Sequence, residues 1–173
     1  ILALAILLWG WLGSASDAMA QRTILIASNQ LWRYTQPTFP VLDGTAWPSR
    51  GYDDSAWSTG RATFAWETTP STIAFLQATA PTHTLLEPPE GRTDYFRTHF
   101  AWSGSTAGAV LILSNAVDDG AVIYLNGVEQ ERIRLLDGAP DVWGSLTTDT
   151  TPGGDVAAWE AITLGGSNLV AGE

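Results

Sequence analysis

The sequence predicts an all-β sandwich, and three observations carry that expectation. Short apolar or alternating runs are separated by clusters of Gly, Pro, Asn and Asp along the chain. No segment of useful length after residue 20 has a helical period, and there is no internal repeat. Asn126-Gly127, set between two such runs, is the strongest short-range hairpin signal. Both central residues of a type I′ turn need φ > 0, which Gly takes without steric cost and Asn tolerates better than most residues. The length of 173 residues fits one domain plus extras. Only 15% of the residues are charged against 45% hydrophobic, a balance that builds a core and argues against disorder.

Taken in order, the first element is not part of the sandwich. Ile1 to Leu12 is almost wholly apolar, Gly13 to Ser16 softens it, and Ala18-Met19-Ala20 supplies a small-x-small pattern before Gln21. Residues 1–20 therefore read as a signal peptide cleaved after Ala20, and the protein as secreted, periplasmic or on the cell surface. Neither a start methionine nor a basic region precedes the apolar run, so the sequence reads as clipped at its front. The run is shorter than the roughly 20 residues a membrane span needs, so no span is expected in the mature chain.

Thr23–Ala27 and Leu31–Tyr34 read as strands, and Pro37, Pro40, Gly44 and Pro48 impose a long irregular connection after them. Asp53 to Ser55 suits an Asx-turn or one helical turn, because short polar side chains bond nearby backbone N–H groups. Trp47, Tyr52 and Trp57 are expected to fold back as a lid over one end of the core. Ala62–Trp66 reads as a strand end, and Glu67–Glu90, with four Pro and many Thr, as a loop containing the short apolar run Ile73–Leu76. Tyr95–Trp102 alternates, placing Phe96, Thr98, Phe100 and Trp102 inward and Tyr95, Arg97 and His99 outward. Ala109–Leu113 reads as a buried strand. Ala121–Leu125 and Val128–Leu135 are the hairpin arms, apolar on both faces of the first arm. Val156–Leu164 alternates weakly as a last strand.

The acidic balance, 18 Asp and Glu against eight basic residues that are all Arg, repels phosphate backbones and excludes nucleic acid as a partner. The absence of Cys removes disulfides and thiolate metal sites. His83 and His99 have no further ligands clustered near them, which argues against zinc. Paired carboxylates for glycoside hydrolysis flank a cleft about 5–9 Å apart. Asp53-Asp54 and Asp118-Asp119 are adjacent in turns instead, where Asp bonds backbone. No Gly-x-Ser-x-Gly elbow and no phosphate-cradling loop is present. No catalysis, and no cofactor beyond calcium, is expected. A structural calcium is admitted by Asp53, Asp54, Asp118 and Asp119 if their two loops share one end of the fold. For a glycan, whose C–H faces stack on exposed aromatics, the candidates are Trp66, Trp143 and Trp159, with Arg61 and Arg97 as donors to hydroxyls.

The order Leu31-Trp32-Arg33-Tyr34, Trp47, Tyr52-Asp53-Asp54-Ser55-Ala56-Trp57, Tyr95-Phe96-Arg97, and Asp118-Asp119-Gly120 through Asn126-Gly127 resembles the galactose-binding-like jelly-roll modules of secreted bacterial multidomain proteins. It is similar to the sugar-binding domains of family 2 glycoside hydrolases. The resemblance covers roughly residues 31–173. It implies a jelly-roll sandwich over 21–173 that is non-catalytic, acts as a carbohydrate- or surface-binding module, and adjoins an enzymatic or adhesive domain of the same chain. Some relatives bind glycans through loops at one end of the sandwich, and some hold a structural calcium. Others of the family are spacers that position a neighbouring hydrolase and have no ligand. The resemblance also implies a last strand following Leu169–Glu173, so the sandwich reads as truncated at its C-terminus.

Overall fold

A computed structural model describes residues 7–11, 22–79, 84–88, 93–117, 120–135 and 160–171. The regular elements of the described residues are mostly strands. In chain order these are β1 (Leu7–Trp11), β2 (Thr23–Ile24), β3 (Leu31–Thr35), β4 (Ser58–Arg61), β5 (Phe64–Ala65), β6 (Thr84–Leu85), β7 (Tyr95–Arg97), β8 (Val110–Asn115), β9 (Ala121–Leu125), β10 (Val128–Ile133) and β11 (Glu160–Gly165). A helix, α1 (Pro70–Thr79), lies between β5 and β6, and a 3-10 turn (Gly166–Asn168) follows β11.

The strands pair as one four-stranded sheet in the order β11-β8-β1-β2, a three-stranded sheet β4-β3-β7, the hairpin β9-β10 and the parallel pair β5-β6. One apolar cluster joins them: Trp32 of β3, Phe64 of β5, Leu111 and Leu113 of β8, Leu125 of β9, Ile133 of β10 and Leu164 of β11 all belong to it. Within β8 burial alternates, with Leu111, Leu113 and Asn115 fully inside. At that depth Asn115 Nδ2 donates to the carbonyl of Glu160, its register partner on β11, at 3.3 Å, while its Oδ1 is buried without a hydrogen-bond partner among the described residues.

The hairpin forms as its sequence dictates. Asn126 and Gly127 have φ of 51° and 85°, the left-handed pair that a type I′ connection requires. Val128 pairs with Leu125 directly across the turn, and a bulge between Glu129 and Glu131 adds twist to the returning strand. A second constraint acts at the tip. A Cβ on Gly127 would lie 3.3 Å from the Cα of Ser49, so the bare glycine lets the loop of residues 42–57 lie against the turn. On its other side Asn126 Nδ2 donates to the carbonyl of Asn168 at 2.8 Å.

Two expectations change. Glu67–Glu90 is not all loop, because Pro70–Thr79 is helical. Pro70 takes the first helical position, where its fixed φ suits the helix and its missing N–H has no partner to lose. The carbonyl of Thr69 accepts from Ile73 N at 3.0 Å. The Glu67 carboxylate takes the N–H groups of Thr68 and Thr69 at 2.7 and 2.6 Å. Apolar residues of α1 do not gather on one face, so periodicity carried no signal for it. The second change is in Tyr95–Trp102. Only Tyr95–Arg97 is strand, and its supposed outer face is the buried one: Tyr95 and Arg97 are inside, while Phe96 is half-buried against Phe64 and Tyr34 at ring-centroid distances of 4.7 and 6.4 Å. β7 is covered on both sides, by the core and by the lid described below. Of residues 1–20, Leu7–Trp11 are described, and they pair with β8 on one side and β2 on the other. Among the described residues no helix is long and apolar enough to cross a membrane.

Candidate functional site: an aromatic lid pinned by arginine

Residues 42–57 form a string of tight turns. Backbone N–H groups of Thr45, Ser49, Tyr52 and Trp57 donate to the carbonyls of Leu42, Ala46, Ser49 and Asp54 at 2.9–3.2 Å. Inside this string Ser55 N donates to Asp53 Oδ1 at 3.0 Å, which is the expected Asx-turn. Successive turns project the aromatics to one side, and they interlock. The Trp47 ring meets Tyr95 of β7 at 5.0 Å and Tyr124 of β9 at 5.5 Å, both edge to face, and lies 6.5 Å from Trp57. Trp57 in turn meets Tyr52 at 5.8 Å. Such tilted and edge-on contacts suit the ring quadrupole and add to the burial gained. Trp47, Tyr52, Trp57 and Tyr124 are half-buried, and Tyr95 is buried.

Two arginines hold this lid to the β4-β3-β7 sheet. Arg33 of β3 and Arg97 of β7 are register partners on adjacent strands, a like-charge juxtaposition that would destabilise the pair if left bare. The lid supplies what offsets it. Arg97 Nε donates to Asp54 Oδ2 at 2.9 Å, its Nη1 donates to the carbonyl of Trp47, and its guanidinium carbon sits 5.4 Å from the centre of the Tyr52 ring. Arg33 Nη1 donates to the carbonyl of Trp57 at 3.2 Å. Each basic side chain thus fastens one of the two lid tryptophans by its backbone, and Asp54 supplies the anion. His99, 64% exposed, approaches the same Asp54 oxygen at 3.8 Å from the solvent side.

The residues singled out from the sequence distribute unevenly over this site. Arg97 belongs to it, but as an internal brace: only 8% exposed, with its donors directed into the lid, it does not point at solvent as a hydroxyl donor would. Asp54 faces that guanidinium, a charge that opposes a calcium ion on the same oxygens, and Asp53 is committed to the Asx-turn. Among the described residues no three Asp, Glu or His side chains gather as a metal site. Asp118, Asp119, Trp143, Trp159 and His83 lie outside the described residues. Trp66 is half-buried against the core rather than beside the lid. Arg61 is exposed at the end of β4, where Nη1 donates to the carbonyl of Asn29 at 3.0 Å. The residues that sequence reasoning missed are Arg33, Tyr95 and Tyr124. Nothing local to β3, β7 or β9 marks them, because the lid that meets them comes from a loop distant in the chain.

Two carboxyls near these elements are held below their ordinary values. For Asp53 the cause is first the hydrogen bond from the Ser55 hydroxyl and then the one from the Ser55 backbone. For Glu67 it is first the N–H of Thr69. A carboxyl depressed in the folded state stabilises the fold fully above its unfolded value, about pH 4–4.5, and loses that contribution as pH falls through the lower folded value. The lid is therefore expected to loosen in acid, read as a change in tryptophan fluorescence below about pH 4. Asp53→Asn should remove the lid's share of that transition and leave the Glu67 share at the start of α1.

Comparisons of the chain with protein-family models, with curated proteins and with solved structures find no match.

Proposed function

We propose that this chain is an exported, non-catalytic jelly-roll module of the galactose-binding-like type that binds a carbohydrate or a glycan-bearing surface through the aromatic lid. The observation that carries this reading is the set of four half-buried rings, Trp47, Tyr52, Trp57 and Tyr124, beside the exposed imidazole of His99. Partly open aromatic faces with polar groups at their margin are what sugar recognition uses: the C–H face of the ring stacks, and hydroxyls take the hydrogen bonds. Because the arginines fix the lid before any ligand arrives, little ordering entropy opposes binding. The experiment is retention of the protein on polysaccharide affinity gels together with a glycan array. Wild type should be retarded by at least one polysaccharide, and Trp57→Ala and Tyr52→Ala should each abolish the retardation. A protein retained by none of them is not a glycan-binding module.

One observation favours a second reading, a structural domain that positions a neighbouring hydrolase such as a glycosidase or a metallophosphoesterase. The Trp47 ring is locked edge to face between Tyr95 and Tyr124, so part of the lid serves packing. On this reading Trp57→Ala lowers stability and changes no binding.

A further inference from the structure

The four-stranded sheet contains a strand whose place conflicts with its sequence. β1 is an inner strand: its ladder with β8 runs from Leu7↔Ser114 to Trp11↔Val110, and on the other side Trp9 and Gly10 pair with Ile24 and Thr23 of β2. β8 itself lies at the centre of the core, with Leu111 and Leu113 essentially inaccessible and β11 paired along its other edge. Alternate N–H groups of a strand point to opposite neighbours, so half of the amides of β8 face β1. Without a strand there, that row of donors and acceptors would be an unpaired edge beside the most buried side chains of the molecule. Yet Leu7–Trp11 is the middle of the apolar run that the sequence marks as an export leader cut after Ala20. The cut would fall in the connection between β1 and β2, leaving β1 attached to the sheet through its two ladders alone.

We propose that the edge of β8 is a strand-acceptor slot for an extended, apolar, antiparallel segment, that Leu7–Trp11 is its occupant, and that this occupant stays bound noncovalently once the chain is cut before residue 21. Main-chain pairing supplies the affinity in such strand addition, and the apolar character of the segment suits a position in the middle of a sheet. Retention through β8 rather than β2 follows from the ladders. The β8 ladder spans every residue of β1, whereas the β2 ladder spans Trp9 and Gly10 only. This inference is independent of the lid and of any glycan.

The test uses the whole chain with a recognition sequence for a specific protease replacing Ser14–Asp17. After complete cleavage the N-terminal fragment should co-elute with the remainder in size-exclusion chromatography, identified by mass spectrometry, and the amides of Val110–Asn115 should keep their protection from hydrogen exchange. Gly10→Pro, which removes an N–H from the middle of the strand, should release the fragment on cleavage. A labelled peptide of the Leu7–Trp11 sequence with short flanks should exchange into the cleaved parent and not into uncleaved chain. Release of the fragment from the cleaved parent would overturn the proposal. So would equal retention in the parent and in Gly10→Pro, since the fragment would then be held by something other than strand pairing.

Discussion

Arg97→Ala is expected to destabilise the protein by about 3–5 kcal/mol, the range for removing one partner of a buried ion pair. The side chains of Arg97 and Asp54 are only 8% and 14% exposed, so solvent cannot replace the lost guanidinium at low cost. The substitution leaves the Asp54 carboxylate without its partner, the Trp47 carbonyl without its donor and the Tyr52 ring without the cation over its face. All three losses fall on the lid. The denaturant midpoint should therefore drop with little change in m-value, and Trp47 and Trp57 fluorescence should shift to the red in the folded baseline. Arg97→Lys keeps the charge but cannot reach Asp54 and Trp47 with a planar fork, so it should fall between the two. The double variant Arg97→Met with Asp54→Leu removes both charges and should recover most of the loss. A loss below about 1 kcal/mol for Arg97→Ala would mean that the pair behaves as a surface salt bridge and does not hold the lid.

The second large effect is expected at the opposite side of the β4-β3-β7 sheet. Phe64 is fully buried, and its ring lies 4.7 Å from Phe96 and 5.3 Å from Tyr34. Phe64→Ala should cost about 3–5 kcal/mol through lost transfer energy and the cavity left behind. At about 2–4 °C per kcal/mol for a domain of this size, thermal unfolding should move down by roughly 6–20 °C. The cavity would open between β3, β5 and β7, so the lid contacts of Trp47 and Trp57 should stay intact at temperatures where the variant is folded. Unchanged hydrogen-exchange protection of the lid amides of Ser49, Tyr52 and Trp57 in Phe64→Ala, with a large difference in midpoint, checks that separation. Phe64→Leu, which refills most of the space, should show the same pattern with a smaller shift.

These two sites differ in how far they could be read from the residues alone. The Asn126-Gly127 turn, the Asx-turn at Asp53 and the gathering of Trp47, Tyr52 and Trp57 depend on contacts a few residues apart, and local chemistry decides them. Phe64 and the apolar β8 are legible as core because hydrophobicity alone requires burial. Alternation along β7 misled for a physical reason. Period-two patterning assumes one wet face, and Arg97 looks like a wet-face residue until a carboxylate 43 positions away is brought onto it. The helix α1 was hidden because Pro70, a breaker in the middle of a helix, is a good first residue of one.

By itself, then, the sequence determined the β-rich class, the hairpin and its turn, the buried strands and the aromatic character of the lid, all of which follow from propensity and hydrophobic pattern over short spans. Only the tertiary structure decided that Arg33 and Arg97 face the same lid as cross-strand partners, and that Asp54 lies against the Arg97 guanidinium. It alone placed Leu7–Trp11 between β8 and β2. Each of these joins residues far apart in the chain, and strand pairing and charge burial depend on the partner that folding delivers, which no local pattern encodes.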